Sequence, residues 1–142
     1  HMRRAGIDKV VILTGDIHSS WALDVATDPY DPARYDRQSG RGAQAVEFVT
    51  PGIASEPLGN YLARRDPDAH ARMVEAIPGQ PHLRFADHAN RGFVSLEVNA
   101  ERVEASWHFV AAPTDPRSRV ERAHRETVRA GENHLSRAAA IR

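Results

Sequence analysis

The sequence predicts an α/β (α+β) fold with a mixed sheet and two or three helices. Three observations point there. Residues 10–13, "VVIL", form an unbroken apolar run of mostly β-branched side chains, closed off at Gly15, as in a buried strand. Later segments alternate apolar and polar residues with period two, the pattern of half-buried strands. Between them lie two stretches of helix formers that each start at a proline, Pro57 and Pro67, and proline suits the first turn of a helix.

Taken in order, the run 10–13 reads as a central strand covered on both faces. Residues 21–25 alternate, with Trp21, Leu23 and Val25 on one side. That is a second strand, and it leaves Asp24 facing solvent. Residues 26–43 hold two Asp-Pro steps, Tyr30, Tyr35 and a polar end flanked by glycine. This is a long loop, and such loops are either functional or disordered. "AVEFV", 45–49, is a third strand that ends at the Pro51-Gly52 turn. Ser55 is the expected N-cap of a short helix, "PLGNYLARR", which Gly59 weakens. Asp66 is expected to cap a second helix, about 67–77, with Pro67 at its first position and Pro78-Gly79 as its stop.

"HLRFAD", 82–87, reads as a short strand. The best hairpin in the chain is "GFVSLEVNAERVEASWHFV". Val94, Leu96 and Val98 share one face of its first arm, Val103, Ala105, Trp107 and Phe109 one face of its second, and "NAER" turns between them. The tail, 111–142, admits both a helix and an extended segment, with Val120, Ala123 and Val128 to line a face.

Composition narrows the function. The 142 residues suffice for one domain with a core. Nineteen basic residues balance nineteen acidic ones, which gives no support to a nucleic-acid partner. Five arginines fall in 117–129, but glutamates are interleaved, so this reads as a solvated face. There is no cysteine, which excludes disulfides and thiolate metal sites. No apolar run approaches the ~20 residues of a membrane span. His1-Met2 reads as a cloning scar, and a strand follows almost at once. The expectation is therefore an excised piece, 3–142, of a longer chain.

The chemistry sits in "VVILTGDIHSSW", 10–21. In an extended segment, residues two apart point the same way, so Asp16 and His18 are expected to address one point. Gly15 permits a sharp exit from the strand. A carboxylate with an imidazole suits zinc, manganese or iron. The pair alone can also be a turn cap and an ordinary histidine. Two ligands do not complete a site, because a catalytic zinc needs about three from the protein. Ser19 and Ser20 offer hydroxyls for phosphate oxygens or for backbone groups of the turn.

"VVILTGDIHSSWALDV" resembles the last metal-binding motif of the PhoD-like alkaline phosphatases, of the calcineurin-like metallophosphoesterase superfamily. "VEFVTPGIAS", "QPHLRFADHANRGFVSLEVNAERVEASWHFV" and "VRAGENHLSRA" resemble the segments that follow that motif, in the same order, over nearly the whole chain. The resemblance implies a metal-dependent phosphoester hydrolase, exported from a bacterial cell. Its metals would be iron with calcium, or manganese or zinc. The fold it implies is the C-terminal half of a four-layer α/β/β/α sandwich. Asp16 stands where the commoner Gly-His-x-His form has a histidine, which favours iron(III), manganese or calcium over zinc. The superfamily's earlier Asp and Asn-His motifs have no counterpart before residue 10. Metal ligation is thus assigned to His18 and Asp16 in a centre the chain does not complete, and no complete catalytic set is expected.

Other candidates are read as follows. His82, Asp87 and His88 are possible outer partners of a ligand or a phosphate, beside plainer roles at turns. Asp87 is expected to pair with Arg91 in stabilising a turn. Glu47 is an exposed strand residue or an arginine partner. His70, His124 and His134 are surface residues, while Trp107 and Phe109 belong to the core. Two further readings stand beside the phosphatase piece. One is a module that self-associates through an exposed sheet face. The other is a small metalloprotein using Asp16, His18 and an acid from the 26–42 loop.

Overall fold

The computed structural model describes residues 1–136, apart from the side chain of Arg3. The stretch 137–142 of the expected tail lies outside the described residues. The order is α1 (Met2–Ala5), β1 (Val10–Thr14), β2 (Ser20–Ala26), β3 (Ala43–Val49), α2 (Leu58–Arg65), α3 (Pro67–Ala76), a 3₁₀ turn (Ile77–Gly79), β4 (Leu83–Asp87), β5 (Gly92–Val98), β6 (Arg102–Val110) and β7 (Val120–Arg129). The fold is mixed α+β, as expected.

A four-stranded sheet runs β1-β3-β2-β4, and a three-stranded sheet runs β5-β6-β7. The first is mixed: β1 and β3 are parallel, whereas β2 is antiparallel to β3 and β4. The second is antiparallel throughout. The core lies between them. Trp107 is fully buried on β6, with its ring 5.7 Å from Phe48 and 5.2 Å from Phe85. Its indole N–H donates to the Val49 carbonyl at 3.0 Å. Offset and edge-on aromatic packing of this kind adds to simple burial. Ala22 lies opposite Phe48 and Phe85, and its small side chain leaves room for the three rings.

That arrangement reverses the expected faces of β2. Ser20, Ala22 and Asp24 have no exposure, while Trp21, Leu23 and Val25 are half-buried. The bulk of the core comes from neighbouring strands, so the small and polar face of β2 turns inward. β1 also departs from expectation. It pairs only with β3 among the described residues, and Leu13 is 58% exposed, so it is an edge strand here.

The helices divide evenly. Asp66 caps α3 as expected, its carboxylate accepting from Ala69 N at 2.9 Å, with Pro67 at the start. Ser55 does not cap α2, which begins at Leu58 behind Pro57 with no side-chain cap. The loop 26–43 is pinned by Tyr35, which is 3% exposed. The open choice for the tail falls on the extended side: β7 pairs along β6. His124, on β7, is not the surface residue expected. It stacks on Phe85 at 3.8 Å and meets Glu126 at 2.9 Å. No described helix is long and apolar enough to cross a membrane.

Candidate metal-ligand loop

The candidate ligands lie between β1 and β2, on a turn and not on an extension of the strand. Asp16 has φ +72° and His18 φ +54°. Ile17 N donates back to Gly15 O at 2.9 Å. The reading that both side chains point one way by strand alternation therefore does not apply. Left-handed backbone is uncommon outside glycine, and each such residue stores on the order of 1–3 kcal/mol of strain. Of the three described non-glycine residues with positive φ, two are these candidates, the third being Lys9. Both candidate side chains are exposed.

The turn is held from below. Ser19 is fully buried. Its hydroxyl accepts from Trp21 Nε1 at 2.6 Å and lies 3.4 Å from the Ile17 carbonyl. Ser20 is also fully buried, and its hydroxyl has no partner among the described residues. Neither residue is exposed to solvent, so burial does not favour direct phosphate contact, one of the roles expected of them. From the side, the start of α2 closes on the turn: Leu58 N donates to His18 O at 3.0 Å, and His18 Nδ1 lies 3.2 Å from Glu56 O. Arg64, near the end of α2, clamps the Glu56 carboxylate at 2.8 Å.

The same helix start collects the loop after β4. Gly59 N donates to His88 O at 2.8 Å. A Cβ on Gly59 would collide with the His88 ring and lie 2.7 Å from its carbonyl. Gly59 read from sequence is a weak spot in a helix; in the fold it is where two backbones touch. The His88 ring packs edge-on to His70 at 5.6 Å. Asp87 does not pair with Arg91. It accepts from Ala89 N, Asn90 N and Asn90 Nδ2 at 2.8–3.1 Å, closing its own turn. Arg91 instead donates to Ser55 O at 3.0 Å. His82 stands at the other end of β4, with Tyr30 edge-on at 6.0 Å. Burial holds its imidazole below the usual histidine range. Glu47 accepts from Thr14 Oγ1 at 2.7 Å rather than from an arginine.

A second polar cluster escaped the sequence altogether. Asp24, fully buried, accepts from Tyr35 Oη at 2.6 Å, Arg84 Nη2 at 3.0 Å and Leu135 N at 2.8 Å. Burial, and then the bond to Asp24, push the Tyr35 phenol well above its ordinary value.

Asp16 and His18 fit part of a metal centre. Both are exposed donors of the type that hard and borderline cations take. Among the described residues, no group of three or more His, Asp or Glu side chains comes together to hold an ion. The pair falls short of the three or more protein ligands of a catalytic ion.

Comparison with known proteins bears on the whole arrangement. Residues 1–107 match the profile of the PhoD-like phosphatases. Alkaline phosphatase D of Bacillus subtilis (strain 168) is 26% identical over 115 residues, covering 81% of this chain and 17% of that protein. A solved structure described as "Structure of PhoD" superposes with a TM-score of 0.67 at 18% identity, covering 99% of this chain and 24% of the other. The chain thus spans less than a fifth of the first relative's length. Since the matched profile takes in β1, the Asp16–His18 turn, α2, α3 and the hairpin as far as Trp107, the chain belongs to the PhoD-like phosphatase family.

Proposed function

We propose that residues 3–142 are the C-terminal part of a metallophosphoesterase domain that hydrolyses phosphoesters, and that Asp16 and His18 contribute two of the ligands of its metal centre. The observation that carries this reading is the turn itself: two exposed donors on strained backbone at the end of β1, inside the region that matches a phosphatase family. His18 serves as a neutral imidazole donor and Asp16 as a hard anionic one, a pair suited to iron, manganese or calcium. A metal bound there would supply positive charge to phosphoryl oxygens and acidify a bound water. The remaining ligands come from beyond the described residues, so the chain alone is expected to be inactive or weakly active. Its protein of origin would be exported.

Purified chain, assayed on p-nitrophenyl phosphate and bis-p-nitrophenyl phosphate with iron, manganese and calcium, should show no turnover above the metal blanks. It should bind manganese weakly, and His18→Ala should abolish that binding. Robust turnover lost in His18→Ala would overturn the incompleteness of the centre. Manganese binding indifferent to both His18→Ala and Asp16→Ala would remove the ligand assignment.

A second reading, a self-associating module, is favoured by one observation. Among the described residues, β1 pairs with a strand on one side only, and it carries exposed Leu13.

A further inference from the structure

We infer that the start of α2 is a positioning device for His18, which it holds in the Nδ1–H tautomer with Nε2 as the free donor atom. This rests on His18 being a metal ligand only for its functional meaning; the tautomer itself follows from the contacts. A carbonyl oxygen accepts and never donates. The approach of His18 Nδ1 to Glu56 O at 3.2 Å is therefore a hydrogen bond only when Nδ1 carries the proton. In a neutral imidazole the other nitrogen then keeps its lone pair. Nε2 has no hydrogen-bond partner among the described residues, and the side chain is exposed.

Four contacts make the device specific. Leu58 N fixes the His18 carbonyl at 3.0 Å, so backbone and ring are gripped by residues two apart. Arg64 holds the Glu56 side chain at 2.8 Å and so steadies the segment that offers the carbonyl. Gly59 N binds His88 O at 2.8 Å, which seats α2 on the loop after β4. The absence of a side chain at Gly59 allows that seating, since a Cβ would meet the His88 ring and carbonyl. Metal-bound histidines commonly donate their second ring N–H to a carbonyl or carboxylate, which orients the ring and fixes the tautomer. Here the carbonyl is in place beside a histidine whose backbone is already strained into position, φ +54°. Gly59 and Arg64 are thus positioning residues, acting through Glu56 and Leu58.

The test is long-range ¹H–¹⁵N NMR on the uniformly labelled chain without metal, at a pH where histidine is neutral. His18 is assigned by its loss in His18→Ala. The expected result is a pyrrole-type shift on Nδ1 and a pyridine-type shift on Nε2, opposite to the preference of a free histidine side chain in water. A predominantly Nε2–H ring in the wild type overturns the inference. Arg64→Gln, a surface change, should leave the fold intact and move the ring toward a tautomer mixture; an unmoved ring removes Arg64 from the device. Gly59→Ala should do so more strongly, and if it unfolds the chain, the wild-type and Arg64→Gln spectra still decide. Titration with Zn²⁺ then separates the two ideas. A shift confined to Nε2, with affinity falling roughly tenfold or more in the variants, supports the device as serving a metal. A fixed Nδ1–H ring that ignores Zn²⁺ keeps the tautomer and discards the ligand role.

Discussion

At the scale of single residues, the largest surprise is Asp24. Strand alternation put it on the solvent side, yet it is fully buried and satisfied by three donors. Those donors lie 11, 60 and 111 residues away, so no local pattern could reveal them. Asp16 and His18 were singled out by the chemistry of their side chains alone; the left-handed backbone on which they sit was not legible in the sequence. Removing one partner from a buried charged group leaves the others unpaired. Asp24→Ala should therefore cost about 3–5 kcal/mol in urea unfolding, with Arg84 and Tyr35 stranded. Tyr35→Phe removes one hydrogen bond to that carboxylate and should cost about 1.5–3 kcal/mol. If Asp24→Ala unfolds at the wild-type urea concentration, the cluster does not contribute to stability. His82 gives a pH signature. Burial first, and the Arg37 charge in support, depress its folded value against an opposing pull from Asp24. The unfolded chain then binds more protons, so the contribution of His82 is present above the ordinary histidine range and is lost as pH falls through the depressed value. Stability measured from pH 8 down to pH 5 should fall less in His82→Asn than in the wild type. Equal slopes would mean His82 is not involved.

At the scale of elements, local signals succeeded where the cause is local. Asp66 followed by Pro67 capped and started α3 as read, because a cap needs only its own first turn. Asp66→Ala should cost about 1 kcal/mol, seen as a lower urea midpoint, and Asp66→Asn should retain most of it. Ser55 failed as a cap because its backbone is recruited elsewhere: its carbonyl takes Arg91, and the helix starts two residues beyond Glu56. β7 was undecidable from its own residues. Its sequence is rich in helix formers, and what makes it a strand is pairing with β6 from Val110 to Arg102, a tertiary override of propensity. Gly92 shows the same dependence in the hairpin. A Cβ there would run into the His108 carbonyl across the strand pair, so β5 and β6 approach each other only with glycine. Gly92→Ala should disrupt the start of the β5–β6 pairing and lower the urea midpoint well beyond the effect at Asp66, since backbone, unlike a flexible side chain, cannot move aside. A midpoint equal to wild type would show that the strand shifts freely.

At the scale of the whole molecule, the run at 10–13 forms the strand its composition predicts and, within the described residues, stands at a sheet edge. Its composition is that of a strand flanked on both sides, but within the described residues only β3 flanks it. The mismatch has a physical consequence. An edge strand presents unpaired N–H and C=O groups, and proteins guard such edges with charges, prolines or bulges. β1, "VVILT", carries none of these. Leu13 on β1 and Val98 on the edge strand β5 are 58% and 68% exposed, and Ile17 beyond the end of β1 is 45% exposed. The chain's formal charge is zero at pH 7, so no net repulsion keeps copies apart. The purified chain is therefore expected to self-associate as its concentration rises. Sedimentation velocity across a hundredfold concentration series should show the sedimentation coefficient climbing from that of a monomer. Leu13→Lys places a charge on the open edge and should shift the onset of association to higher concentration, while leaving the circular dichroism unchanged. Association equal in Leu13→Lys and wild type would move the interface away from β1, and a strict monomer throughout would show that this edge is protected by something other than its own side chains.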